Sequence, residues 1–117
     1  MKGIFIYSFV ITLILSLAQF NLSNAFGEKI DYKKLYKNHK CIKCHGFDGK
    51  GTKRGKKLGT PDFTDAEWQA SVTDEQLINS ITNGKKKMPK RGHKMTTEEI
   101  KAMVKYVRFF VPKKKRK

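Results

Sequence analysis

Apolar residues are distributed along this chain in two ways. From Ile4 to Phe20 they form a nearly unbroken run, interrupted only by Ser8, Thr12, Ser16 and Gln19. Further on they recur at spacings of three and four, with lysines and other polar residues between them, as on the buried faces of amphipathic helices. Behind Asp31, a residue type that caps helices, Tyr32, Leu35 and Tyr36 share one face and predict a short helix. Three further starts place Thr three positions ahead of Glu or Gln, so that each side chain can bond the other's backbone N–H: Thr64 with Glu67, Thr73 with Gln76, and Thr96 with Glu99. The second of these opens a helix bearing Leu77, Ile78 and Ile81, closed by Asn83-Gly84. The third opens one whose stripe is Ile100, Met103, Val104, Val107, Phe110 and Val111, stopped by Pro112. Between Gly46 and Gly59 five glycines stand among lysines, which predicts a loop with left-handed turns and no strand. The expected class is all-α, with four to five short helices, long loops, no internal repeat and no second domain.

The first apolar run belongs to none of these helices. Met1-Lys2-Gly3, the run itself and the ending Ser23-Asn24-Ala25 have the layout of a secretory signal peptide, which assigns residues 1–25 to export and 26–112 to a single domain. An uncleaved membrane anchor is the competing reading, because the run is nearly long enough to span a bilayer. Either reading places the domain outside the cytoplasm, in the periplasm or an equivalent compartment.

Of the 117 residues, 26 are Lys or Arg and 10 are Asp or Glu, a net charge of +16. Residues 1–25 hold one cation, Lys2, and no acid, so the remainder carries +15. A field of that strength on so short a chain implies an acidic partner or an anionic membrane surface; nucleic acid is excluded by export. Residues 113–117 form a basic tail that can lie against anionic lipid or an enzyme subunit. A domain of about ninety residues also buries too little surface for comfortable stability, and such domains commonly recruit a metal, disulfides or a cofactor.

Cys41-Ile42-Lys43-Cys44-His45 supplies the chemistry. Two thiols one helical turn apart can each form a thioether with a haem vinyl group, and the imidazole that follows lies where it can bind the iron. Zinc would need four ligands from a set holding only these cysteines, His39, His45 and His93. A redox-active dithiol would call for a βαβ context that is missing, and a disulfide across so short a loop would stabilise little.

In order along the chain stand Cys41 to Gly46, Asp48-Gly49-Lys50-Gly51, the stretch Leu58 to Asp65 around Pro61, Gly84 to Pro89 ending in Met88-Pro89, and Tyr106. With these five features the chain resembles class I c-type cytochromes over nearly all of the exported part. The resemblance implies the cytochrome c fold around one haem (heme c), covalently attached through Cys41 and Cys44, with His45 and Met88 as axial iron ligands. It implies that the Pro61 carbonyl accepts the second N–H of His45, and that Phe63, Trp68 and Tyr106 line the haem or the helix contact beside it. Met95, Met103 and His93 compete for the sixth position; Met103 falls within the last apolar stripe, Met95 just before a capping box, and only Met88 in a lysine-rich loop. One departure stands out: relatives often carry an aromatic residue four positions before the first cysteine, whereas Tyr36 lies five before Cys41 and Lys37 takes the usual place.

An iron with both axial positions filled has no site for substrate, so the expectation is an electron carrier rather than an enzyme. Twelve cations (Lys40, Lys43, Lys50, Lys53, Arg54, Lys56, Lys57, Lys85, Lys86, Lys87, Lys90 and Arg91) crowd the loops expected to flank the haem edge. They suggest transient docking of acidic redox proteins. The alternatives are a haem-bearing subunit of a larger respiratory or oxidoreductase complex and, further off, an open-site haem enzyme or gas sensor. Oligomeric state is not expressed in the sequence.

Overall fold

The computed structural model describes residues 29–113. The export segment assigned to residues 1–25 and all of the basic tail but Lys113 lie outside the described residues. Six helices follow one another: α1 Tyr32–Asn38, α2 Ile42–His45, α3 Lys53–Lys57, α4 Ala66–Ser71, α5 Asp74–Asn83 and α6 Thr97–Phe109. No strand occurs among the described residues apart from one isolated antiparallel bridge, Lys85 with Met88. The class is all-α as expected.

The helix count exceeds the expected four to five because two one-turn helices sit where apolar periodicity has no room to show. One is the cysteine motif itself. The other, α3, lies inside the glycine-rich segment expected to be all loop, and it is nucleated by Thr52, whose hydroxyl accepts from Gly55 N at 3.0 Å.

Most helix starts follow the capping residues. Asp31 accepts from Lys34 N at 3.0 Å, and both reciprocal bonds form at Thr73/Gln76 and at Thr96/Glu99. The third expected pair, Thr64 with Glu67, does not. Thr64 is captured by Asp62, whose carboxylate accepts from its backbone N at 2.8 Å and its hydroxyl at 2.6 Å. Asp65 then caps α4 by accepting from Glu67 N at 3.0 Å. A local side-chain turn here outcompetes the helix cap.

Helix α6 packs against α1 and α5. Its stripe of Ile100, Met103, Val104 and Val107 is buried with Tyr36, Phe63, Leu77, Ile81 and Met95 in one core. Tyr36 meets Tyr106 edge-on at 5.2 Å between ring centroids, so the contact between the first and last helices forms despite the shifted aromatic position. The extra residue is taken up at Lys40, which turns with φ 60° between α1 and the cysteine motif.

Candidate cofactor site

The five-residue motif is one tight turn. Cys41 stands at the N-terminus of α2, and its carbonyl accepts from Cys44 N at 3.2 Å and from His45 N at 2.9 Å. Both cysteines are unpaired and half-buried. Burial is the main influence on the Cys41 thiol and pushes its pKa up; the nearby Arg91 charge opposes this.

His45 is held as a neutral base. Burial pushes its pKa down to about 4, so the imidazole is uncharged at neutral pH, the form that ligates metals. Its ring stacks on Phe63 at 4.5 Å and 18° between planes. Its Nδ1 is buried and has no hydrogen-bond partner. The structure makes no hydrogen bond between this nitrogen and the Pro61 carbonyl. Pro61 is half-buried two positions before Phe63.

The backbone around the motif is tied on several sides. Tyr36 Oη donates to Gly46 O at 2.8 Å, and burial keeps this phenol protonated far above neutral pH. Gly51 N donates to His45 O, and Thr52 N to Cys44 O, each at 2.9 Å, while the Thr52 hydroxyl donates to Lys43 O at 2.8 Å. Gly55 packs so closely on this turn that a Cβ there would lie 1.9 Å from Cys44 O. That contact explains a glycine within α3, where it costs helix propensity.

The segment after α5 brings Met88 to the same core. Gly84, at φ 78°, ends α5, and Lys85 and Met88 exchange backbone hydrogen bonds of 3.1 and 2.9 Å. Met88 is half-buried and packs against the core cluster, as do Cys41 and Ile42. Among the competing ligands, Met95 and Met103 are core residues, at 6% and 2% exposure, and His93 is exposed. The donor set is thus two thiols, a half-buried neutral imidazole with one buried, unpartnered nitrogen, and one accessible thioether, which fits a covalently attached haem. No cluster of three or more His, Cys, Asp or Glu suited to a metal ion occurs among the described residues.

Aromatic rings run continuously from the helix crossing to His45. Tyr106 contacts Phe110 at 4.9 Å, Phe110 contacts Phe63 at 5.7 Å, and Trp68 contacts Phe63 at 5.4 Å. Of the twelve cations in the loops, eleven are exposed, and Lys53, Arg54 and Lys57 line a shallow groove of about 550 Å³ with Leu58. Arg91 is the exception: it is half-buried and its Nε donates to His39 O at 3.2 Å, tying the Met88 segment to the entry of the motif. Sequence reasoning placed it among the steering cations; a lone arginine in a basic loop carries no sign of a tertiary bond. It also passed over Gln69, the one buried polar residue among those described, which no motif marks.

A family model described as cytochrome c oxidase, cbb3-type, subunit III matches residues 29–107. The chain is 37% identical over 68 residues to the cbb3-type cytochrome c oxidase subunit FixP of Bradyrhizobium sp. (strain ORS 278), covering 57% of this chain and 22% of that protein. It is 33% identical over 85 residues to the cbb3-type subunit CcoP of Rubrivivax gelatinosus, covering 71% of this chain and 24% of that protein. It therefore spans about a quarter of the length of these relatives. Among solved structures, the KustC0563 c-type cytochrome superposes with a TM-score of 0.67 at 46% identity, over 71% of this chain and 100% of that one.

Proposed function

The chain belongs to the cytochrome c oxidase, cbb3-type, subunit III family and is a c-type cytochrome that carries covalent haem c, and from this we propose that it serves as the haem-bearing electron-transfer component of a respiratory oxidase or related oxidoreductase complex. The main expectation from sequence is a transiently docking carrier, with a complex subunit as the alternative; the relatives favour the alternative, since FixP and CcoP are oxidase subunits by name.

In this reading Cys41 and Cys44 would carry the thioether bonds, and His45 and Met88 would hold the iron. Bound there, the haem supplies a one-electron change at its iron. The chain's own residues then do three things. The ties from Tyr36, Gly51, Thr52 and Gly55 fix the His45 turn, so little rearrangement accompanies a change of charge. The aromatic wall of Phe63, Trp68 and Phe110 keeps water from the imidazole. The thioether of Met88, as a second protein ligand, would raise the reduction potential relative to a nitrogen ligand, and a haem held by His45 and Met88 would supply electron transfer. The observation that carries this reading is the half-buried imidazole, its Nδ1 enclosed and unpartnered, directly following a half-buried thiol pair.

A second reading, an independent shuttle, is favoured by one observation: the whole of the small KustC0563 cytochrome is matched by this chain. Export to the periplasm, possession of a signal segment at residues 1–25, and steering of acidic redox partners or anionic lipid by the exposed lysines belong to either reading. The two separate by salt. Purified from its native membranes in high salt, a complex subunit stays with its oxidase. A shuttle dissociates, and its oxidation by the oxidase slows steeply as ionic strength rises. A protein that neither co-purifies with an oxidase nor exchanges electrons with one would defeat both.

A further inference from the structure

Gln69 is buried on α4, remote in sequence from the cysteine motif, and all the hydrogen-bonding capacity of its side chain is directed. Its Nε2 donates to Phe63 O and to Val107 O, both at 2.8 Å, and its Oε1 accepts from Arg108 Nη1 at 2.9 Å. The same Arg108 nitrogen donates to Gln69 O at 2.6 Å, Nη2 donates to Val72 O at 2.7 Å, and Nε donates to Asp74 Oδ1 at 3.0 Å. The guanidinium thus satisfies carbonyls that the last turn of α4 leaves without helical partners. The amide, in turn, clamps the backbone of Phe63 to that of α6. Phe63 is the residue whose ring lies flat against the imidazole of His45, and nothing else hydrogen-bonds the Nδ1 of that imidazole.

We propose that Gln69 and Arg108 are positioning residues for the axial histidine: they fix Phe63, and the flat face of Phe63 fixes the His45 ring. This rests on the assignment of His45 as an iron ligand. A ligating histidine commonly takes its orientation from a hydrogen bond to its second nitrogen; the aromatic stack, held from behind by a buried amide and an arginine fork, is a further constraint on the ring plane. A neutral amide suits that place. It offers two donors to two carbonyls and an acceptor to the arginine, which neither Glu nor Leu can reproduce.

The test compares Gln69→Met and Arg108→Lys with Asp74→Asn in the haem-loaded protein. Asp74→Asn weakens only the outer ion pair of Arg108, whose aspartate side chain is 63% exposed. The readouts are the ferric EPR g values and hyperfine-shifted imidazole proton resonances, which report ring orientation, and the oxidised-to-reduced ratio at a fixed ambient potential. Gln69→Met and Arg108→Lys are expected to shift the g values and to change that ratio in the same direction by about threefold or more. Asp74→Asn should leave both as in the parent. Variants that unfold more easily but keep the parent's g values and ratio would overturn the proposal and leave the brace purely structural. Should Gln69→Met fail to accumulate, Arg108→Lys is judged alone by the same criterion. A parent protein without imidazole hyperfine resonances would instead overturn the ligand assignment, a separate failure.

Discussion

The two candidate ligands sit in contrasting surroundings. His45 belongs to a turn bonded by Tyr36, Gly51 and Thr52, backed by Gly55 and faced by Phe63, with its own pKa lowered by burial. Met88 belongs to a lysine-rich reverse turn that is itself closed only by the exchange with Lys85, contains Lys86 in a left-handed conformation at φ 53°, and is anchored further on where Arg91 N and Gly92 N donate to Ile81 O and Thr82 O. A segment with few buried contacts and exposed backbone opens at lower free energy than one tied on every side. The contrast predicts a division of labour: if His45 and Met88 both hold the iron, the histidine side holds and the methionine side yields first.

The strongest way to break that contrast is to attack the rigid side through packing. Gly55→Ala sets a Cβ 1.9 Å from Cys44 O, and the backbone must move; a loss of about 3 kcal/mol or more is expected in guanidinium unfolding of the haem-loaded protein. Gly59, unlike the helical Gly55, has a left-handed φ of 80°, but it has nothing within 4 Å of its missing Cβ, so Gly59→Ala should cost only about 1 kcal/mol of conformational strain. Equal costs would mean that the close approach at Cys44 is not what holds the turn. Next in size is Met88→Ala, expected to cost about 1–2 kcal/mol because the side chain is only half-buried. Covalent haem should be retained while the weak red band of sulfur-ligated ferric iron disappears and the reduced protein becomes sensitive to carbon monoxide. The smallest effect is Tyr36→Phe, which leaves Gly46 O without the donor it now has at 2.8 Å and should cost about 1 kcal/mol. If the histidine side is insulated from the methionine side, the red band of that variant stays unchanged.

Much of this was legible in advance, where one residue type suffices for one local task. Asp31, Thr73 and Thr96 cap as read, Ile100, Met103, Val104 and Val107 of the expected stripe are buried on α6 while Phe110 is half-buried just past its end, and the cysteine motif forms the helical turn its spacing requires. What escaped depends on competition or on distance along the chain. Thr64 lost its cap role to an equally capable neighbour, Asp62. Helix α3 is too short for apolar periodicity and hides a glycine required by a contact eleven residues away, with Cys44. Arg91 and Gln69 act through bonds to partners 52 and 38 positions off, and no local pattern encodes such a pairing. The stack of His45 on Phe63 likewise lay beyond reach, since it joins residues eighteen positions apart that no local pattern pairs. The three methionines differ in burial as well as position: Met95 and Met103 lie within the core and Met88 is half-buried beside it.

The most direct measurement is an optical spectrum of the haem-loaded protein, oxidised and reduced, with carbon monoxide added to the reduced form. Ligation by His45 and Met88 predicts a low-spin spectrum with the weak red band in the ferric state and no response to carbon monoxide. A high-spin ferric spectrum, or prompt carbon monoxide binding by the reduced protein, would contradict it: the sixth position would be open, and the chain would have to be regarded as a haem protein that binds a ligand instead of one that only passes electrons.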